Sequence, residues 1–323
     1  DRSREIDPDA TVTSVGTGTS SETIVLANTA GPPVSYRGTY LSAGLSVLYR
    51  TDPPATGFEH MLSRSADLDP EAIADAAMEM ARNSRDPVHG EGGLRRVVLR
   101  HGALSDILEF TLFPALAGER VAEGRSLLSG RLGESVAASS FTLVDRQDMP
   151  SGCGASPFDD EGIPSREIPL IERGVLRGYL HHLTSAAKHG HVSTGSALRC
   201  ERWSSSRSYR AAPAAIARNV HLVPTVDDAI AEVDRGVYIV NVIGAHTSNP
   251  VSGDFSLNTN IAFEIRRGEV GRPLRPMMLS GNIADILEGT LAVGSDHHYH
   301  TGSMSGVGGY LPSIVVNELT LTP

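Results

Sequence analysis

The sequence predicts an α+β fold in which mainly antiparallel sheets carry packed helices. Three observations predict it. Val237 to Ile243 is an apolar run with no polar alternation, the pattern of a strand buried on both faces. Glu167 to Glu172 and Val175 to Leu180 flank Arg173-Gly174, the pattern of a hairpin. Asp69-Pro70-Glu71 is a helix start, with an N-capping acid, a proline preset for the first turn and a carboxylate at the positive end of the dipole. Ile73, Ala77 and Met80 continue that helix at helical spacing to about Arg82.

The remaining elements follow in chain order. Residues 11–21 are rich in Thr, Ser and Gly; 23–28 read as a strand and 29–33 as the turn after it. Val34–Arg50 alternates and is expected to supply a second and a third strand. Residues 86–93 form a polar linker and Leu94–Leu99 a strand. Leu104, Ile107, Leu108, Leu112 and Leu116 mark a helical face within Ala103–Leu128, with Pro114 expected to kink or split it. Thr184–Gly190 reads as a short helix ending at its glycine. Thr225 with Asp228 resembles a capping arrangement, which predicts a short helix with Ile230 and Val233 on its buried side. The apolar strand breaks at Gly244, and after the loop at 249–254 the chain leaves as a half-buried hairpin turning at Arg267-Gly268. Residues 276–280 form a strand, Asn282 and Asp285 cap a helix marked by Ile283, Ile286, Leu287 and Leu291, and 313–322 is the last strand.

Composition narrows the function classes. The 323 residues suffice for two domains or one large one, with 40% hydrophobic and 20% charged residues as in ordinary globular proteins. A net charge of −10 without a basic run argues against nucleic-acid binding through phosphates. Lys188 is the only lysine. Two cysteines, Cys153 and Cys200, make no disulfide framework, which fits a reducing, cytoplasmic compartment. No apolar run approaches the ~20 residues of a membrane span. The chain starts at Asp1 rather than Met, consistent with a leader or N-terminal segment lying outside it.

Four groups of residues invite a chemical reading. Asn249, Pro250, Gly253 and Asp254 make an irregular loop on a rigid sheet, where binding groups tend to sit; the plain alternative is a connecting turn. Asp159, Asp160 and Glu161 are three adjacent carboxylates, suited to a hard cation or acid–base work, or else a solvated turn. His181, His182, His189 and His191 are close in sequence but show no ligand spacing. His297, His298 and His300 could hold a transition metal with a carboxylate from Asp159, Asp160 or Asp254; a solvent-facing or partner-facing cluster is the alternative.

Several motifs in the right order then carry a resemblance. GAHTSNPVSGDFSLN at 244–258, followed by Met278-Leu279-Ser280-Gly281-Asn282-Ile283, is similar to the NPV(S/T)GD(F/Y)S loop and I(A/S)GN segment of the TldD/PmbA family. The runs at Leu128–Ala137, Phe141–Asp145, Asp159–Arg166, Ser193–Ala197 and Ala292–Asp296 resemble further family elements, so the likeness extends from about Thr23 to Leu321. It implies a remainder of an N-terminal α/β domain over 1–93 and the family's C-terminal domain over 94–323. The family carries additional α/β residues ahead of this point, so a shortened chain or a divergent short member is implied.

In the TldD branch, the helix corresponding to Asp106–Pro114 carries an HExxxH zinc motif, whose two imidazoles lie one turn apart on one face. Here that stretch has no histidine. His101 precedes it, and no second histidine is spaced to join it. Ser303 and Met304 stand where that branch has a cysteine ligand. The chain thus resembles the PmbA (TldE) branch. The implication is a subunit with no catalytic residue and no cofactor of its own, paired with a zinc-bearing TldD-type subunit that hydrolyses peptides. The candidate loops at 249–254 and 159–162 would then hold substrate, fold or interface.

Overall fold

The structure is a computed structural model that describes residues 2–29, 31–65, 67–201, 207–301 and 308–323. The first part of the chain runs α1 (Arg2–Ile6), β1 (Thr11–Asn28), β2 (Gly31–Tyr49), β3 (Ala55–Ser63) and α2 (Pro70–Asn83), with the strands in one antiparallel sheet of order β1-β2-β3. The strands are longer than the sequence pattern predicts. The Thr-, Ser- and Gly-rich stretch lies within β1, and Val34–Tyr49 belongs to one strand rather than two. β1 and β2 stay paired from Thr11↔Leu48 to Asn28↔Gly31 while residues 13–21 are exposed on both faces. Backbone pairing holds this ribbon, so hydrophobic alternation has nothing to report there. Of the expected turn over 29–33, Gly31, Pro32 and Pro33 belong to β2 instead; Ala30 lies outside the described residues. Pro32 and Pro33 are tolerated in β2 because β3 pairs it only from Leu41 onward, leaving an edge without need of their missing N–H.

α2 starts as the sequence indicates: the Asp69 carboxylate accepts from the backbone N–H of Glu71 (3.0 Å) and Ala72 (3.1 Å). Its buried face, Ile73, Ala74, Ala77, Met78 and Ala81, packs on Ala43, Leu45, Val47 and Tyr49 of β2. The approach to β3 is closer than a side chain permits. A Cβ on Gly57 would lie 2.1 Å from the Ala77 carbonyl oxygen and 2.4 Å from the Ala81 nitrogen.

The second part runs β4 (Gly93–Leu99), α3 (His101–Phe110), α4 (Leu112–Ala115), α5 (Gly118–Ala122), β5 (Leu143–Arg146), β6 (Glu167–Glu172), β7 (Val175–Leu176), α6 (Leu183–His189), β8 (Ala197–Leu198), β9 (Ala214–Ala215), β10 (Val220–Leu222), β11 (Arg235–Ile243), β12 (Asp254–Arg266), β13 (Glu269–Leu274), β14 (Met278–Asn282), α7 (Ile283–Gly289), β15 (Thr290–Val293), β16 (His298–Thr301), β17 (Gly308–Leu311) and β18 (Ile314–Thr322). One sheet has the order β16-β17-β10-β5-β6-β7. The other has the order β11-β4-β18-β14-β12-β13, with β15 beside β18, and it closes because β12 also pairs β11. Most pairings are antiparallel; β11 with β4 and β10 with β17 are parallel. Among the described residues no helix is long and apolar enough to cross a membrane.

The apolar end of β4, Val97–Leu99, is covered on both faces. Val97 and Leu99 join the main core with α3, α4 and α7, while Val98, on the opposite face, packs with Ala229, Val233, Ile265, Ala292 and Val315. β11 is likewise buried along most of its length, although Ile243 at its end is 55% exposed. The hairpin at 167–176 turns on Arg173 (φ 48°) and Gly174 (φ 82°), the left-handed pair that matches strand twist, and Arg267 (φ 56°) with Gly268 (φ 76°) repeats it between β12 and β13.

Two helical expectations are corrected. The stretch from Ala103 breaks at Thr111 (φ −122°, ψ −71°), before Pro114, and gives three short helices. Residues 225–233 form turns instead of a helix. The backbone N–H groups of Thr225 and Val226 both donate to the Val293 carbonyl (2.8 and 3.0 Å), and Asp228 accepts from the Ile230 N–H in a local turn (2.8 Å). The Val293 carbonyl thus ties the start of the segment to β15, and the Ile230 N–H is spent on the Asp228 side chain instead of on a helical carbonyl. At α7 the sequence reading holds: the Asn282 side chain accepts from Ala284 N–H (2.9 Å) and the Asp285 carboxylate accepts from Asn282 N–H (2.8 Å), a reciprocal cap. Leu291 lies beyond that helix, exposed on β15.

Candidate functional site

The α3–α4–α5 segment is the wall of a cavity of about 460 Å³. Glu109, Phe110, Phe113 and Pro114 line one side; Ala214–Ala217, His246 and Pro250 line another. The break at Thr111, whose hydroxyl donates back to the Ile107 carbonyl (2.6 Å), brings Phe110, Phe113 and Pro114 into one wall. Glu109 is buried at 2% exposure. Three residues before it, Asp106 is pushed up to about 7, by burial first and then by the Glu109 charge. The cavity is lined by more apolar than polar surface, with Glu109, Glu119, Arg120, Glu201, His246 and Ser248 among apolar and aromatic residues, a mixed lining that suits a bound polypeptide with both side-chain and backbone groups.

The loop at 249–254 reaches this cavity through Pro250, and its polar groups, although exposed, are spent on hydrogen bonds within the loop and to the α7 cap. Asn249 accepts from Val251 N–H (2.9 Å) and Ser252 N–H (3.3 Å). The Asp254 carboxylate accepts from the Ser252 hydroxyl (2.5 Å) and the Asn282 amide (2.8 Å). The Ser252 hydroxyl, and next the Asn282 amide, hold that carboxyl below the usual range. Gly253 donates to Asn249 O (2.8 Å) and accepts from Ile283 N–H (2.9 Å). The loop thus clamps the start of β12 to the cap of α7. Gly253 sits at φ +85°, and a Cβ there would lie 2.5 Å from Ile283 Cγ2. Gly253→Ala is expected to cost about 2–3 kcal/mol, from left-handed strain plus overpacking. Urea denaturation measures it, and a loss below about 0.5 kcal/mol would show that the clamp yields.

The acidic run at 159–161 is not the solvated turn that its composition allows. Asp159 is fully buried. Its carboxylate accepts from Glu161 N–H and Ile163 N–H (both 2.9 Å) and from Ala197 N–H (3.0 Å). Asp160 accepts from Arg199 N–H (2.7 Å), and Glu161 accepts from Leu183 N–H (2.6 Å). All three carboxylates staple a tight loop to the backbone of β8 and α6. None converges with Asp254 or the histidines at a common point. Asp145, fully buried and accepting from Gln147, Arg218 N–H and Asn219 N–H, carries a similar structural load; it ends the motif run at Phe141–Asp145, but the sequence did not single it out as a site residue.

The histidines are regrouped by the fold. His297 is turned to backbone oxygens of Leu222 (2.9 Å) and Ser295 (3.1 Å), away from its neighbours. His298 and His300 share a face of β16, as period-two alternation requires. They meet His101 at the start of α3. The His101 and His298 rings stack at 4.5 Å, and His101 Nδ1 lies 2.7 Å from His300 Nε2. His101 therefore does acquire imidazole partners, from a strand almost two hundred residues away in sequence. Spacing within one helix cannot reveal such a meeting. His298 Nε2 also contacts the His60 carbonyl (2.6 Å) and the Glu59 carboxylate (3.4 Å), and Glu59 pairs with Arg100 at 2.6 Å. Burial is the main cause that holds His300 down at about 3 and His101 lower still, so both rings are neutral. The group of four near α6 also divides: His181 stacks on His191 at 4.6 Å, while His182 bonds Glu119 at 2.8 Å.

A zinc ion fits none of these arrangements. On α3 and α4 the donor facing the cavity is Glu109, among aromatic and proline side chains, and the α3–β16 imidazoles are stacked or bonded to one another. Among the described residues no group of three or more His, Cys, Asp or Glu is arranged to hold a metal. Ser303 and Met304, the other place tested against a family ligand, lie outside the described residues.

Comparison with known proteins gives concordant matches. The model of the PmbA/TldA metallopeptidase central domain matches residues 1–85, and that of the PmbA/TldA metallopeptidase C-terminal domain matches residues 92–323. An uncharacterised protein of Methanocaldococcus jannaschii is 32% identical over 265 residues, which cover 81% of this chain and 60% of that protein. A metalloprotease of Archaeoglobus fulgidus is 30% identical over 202 residues, covering 61% of this chain and 44% of that protein. The chain thus spans less than two thirds of the length of either relative. The crystal structure of TldE from Thermococcus kodakarensis superposes with a TM-score of 0.90 at 26% identity, covering 99% of this chain and 71% of that one.

Proposed function

The chain belongs to the PmbA/TldD metallopeptidase family, and on that premise we propose that it is a TldE/PmbA-like subunit without hydrolytic chemistry of its own. It pairs with a zinc-bearing TldD-type subunit in a cytoplasmic protease that trims or degrades peptides. Its substrates are unfolded or modified peptides, including leader segments of ribosomally made natural products. The observation that carries this reading is the α3–α4 wall. Where a zinc peptidase needs two imidazoles one turn apart with a carboxylate as base, this chain offers Glu109, Phe110, Phe113 and Pro114 to a cavity of about 460 Å³. That wall suits packing against a polypeptide. The loop Asn249, Pro250, Gly253, Asp254 and the loop at Asp159 and Asp160 keep the fold, with Pro250 at the cavity edge.

The test is zinc content and peptidase activity of this chain, alone and copurified with a TldD-type partner. The expected result is no stoichiometric zinc and no hydrolysis from the isolated chain, with both present in the mixed complex. Stoichiometric zinc and turnover in the isolated chain would overturn the assignment and direct attention to His298 and His300.

A further inference from the structure

A second cavity, of about 390 Å³, lies where the β1–β2 ribbon lands on the second part of the chain. It is separate from the α3–α4 wall, and none of the motif loops above supplies its polar groups. The ribbon contributes Glu22, Tyr36 and Tyr40, and the body contributes Arg207 and Arg218. Arg64 backs the same wall. Its Nη2 donates to the Tyr40 hydroxyl (3.1 Å) and to the Ala155 carbonyl (2.8 Å), both of cavity residues. Arg207 Nη1 donates to the Tyr36 hydroxyl at 2.5 Å.

Three guanidinium groups thus meet at one polar hollow. Arg218 is buried at 1% exposure and spends its terminal nitrogens on the fold, donating to Ser156, to Gln147 (3.0 Å), to Ser165 (2.7 Å) and to the Gly195 carbonyl (2.8 Å). Its Nε and the Nε of Arg64 are buried without a partner among the described residues. A buried donor left unpaired is the exception in native proteins and marks a place where a missing acceptor belongs. The acids nearby are already engaged. Glu22 accepts from the Tyr40 hydroxyl (2.8 Å), and Asp160, 3.7 Å from Arg207, accepts from the Arg199 N–H.

We propose that this cavity binds an oxyanion, and specifically the terminal carboxylate of a peptide, between Arg207, Arg64 and the hydroxyls of Tyr36 and Tyr40. Guanidinium groups match a carboxylate in charge and in fork geometry. A volume of this size admits the C-terminal end of a chain with its last residue or two, and is larger than a bare ion needs. Because Ser20, Glu22, Tyr36 and Tyr40 of the ribbon face residues of the body across the cavity, binding would also fasten the ribbon to the body. The choice of a peptide as the carrier of the carboxylate rests on the peptide-processing function proposed above; the oxyanion chemistry does not.

Fluorescence anisotropy of a labelled hexapeptide on the full chain tests it, comparing a free C-terminal carboxylate with the amidated peptide and using inorganic phosphate as competitor. Arg207→Gln and Arg64→Gln are the variants, with circular dichroism to check folding. Arg218 is left intact because its loss would disturb the fold. The expected result is at least a tenfold preference for the free acid, competition by phosphate, and loss of the preference in both variants. Equal binding of acid and amide, or a preference that survives both substitutions, would overturn the site. Phosphate binding lost in the variants but with no peptide binding would overturn the peptide as ligand. If the peptide arm fails while the two-subunit complex still trims peptides, the carboxylate site is wrong and the subunit assignment stands.

Discussion

Glu59→Leu is expected to lower the stability of the chain by about 3–5 kcal/mol, the cost of breaking one side of a buried ion pair. Glu59 on β3 and Arg100 at the start of α3 meet at 2.6 Å, and their side chains are only 9% and 14% exposed. The pair joins the first part of the chain to the second, beside a contact of Phe58 and Met80 with Val240, Ile261 and Phe263. Without Glu59, Arg100 keeps its charge in a poorly solvated place beside His101 and His300, and among the described residues no other carboxylate forms an ion pair with it. Arg100→Met should be costly too, because a carboxylate is then stranded against the His298 contact at 3.4 Å. Replacing both together should cost much less than the sum, because two apolar side chains need no counterion. Urea denaturation followed by circular dichroism, run as a double-mutant cycle, measures this. Single losses below about 1 kcal/mol would mean that water reaches the pair and that the junction rests on the apolar contact alone.

Lowering the pH from 7 to 5 is expected to remove about 2–4 kcal/mol through the His101–His300 pair. The sign follows from proton binding in the two states. The unfolded imidazoles titrate near 6.5, while burial keeps His300 at about 3 in the folded chain and His101 below that. Between pH 6.5 and about 3 the unfolded chain binds more protons, so stability rises with pH across that window. The contribution is fully present above 6.5 and is lost as the pH falls toward the folded values. Each imidazole held neutral costs up to about 1.4 kcal/mol per pH unit below its unfolded value. One proton shared across the 2.7 Å contact brings the total below the sum of two independent groups. His181 and His221, each lowered to about 4 mainly by burial, add in the same direction. Urea midpoints at the two pH values give the slope, and His300→Gln should flatten it. An unchanged slope in that variant would assign the acid sensitivity elsewhere.

Sequence alone determined what depends on neighbours in the chain. The α2 start at Asp69, the α7 cap at Asn282 and Asp285, and the turns at Arg173-Gly174 and Arg267-Gly268 are local chemistry, and the structure has them where the residues place them. The strand β11 was legible because both of its faces are largely covered, which leaves an apolar run from Val237 broken only by Asn241. The motif string carried the family, since it requires only order and identity. The ribbon of β1 and β2 was not legible at its true length: its outer half is held by backbone pairing, and exposed Thr, Ser and Gly carry no periodic signal. The helix expected at 225–233 is replaced by turns, whose start is tied to Val293 of β15, a partner almost 70 residues away in sequence. The candidate sites divide in the same way. That Asp106–Pro114 contains no histidine could be read directly. That Asp159 is a buried staple, that His297 parts from His298 and His300, that His101 joins those two, and that Arg64, Arg207 and Arg218 surround one hollow were decided by tertiary packing. The physical reason is that a side chain's chemistry depends on what packing brings within a few ångströms of it, and those groups come from strands and loops that linear spacing does not connect.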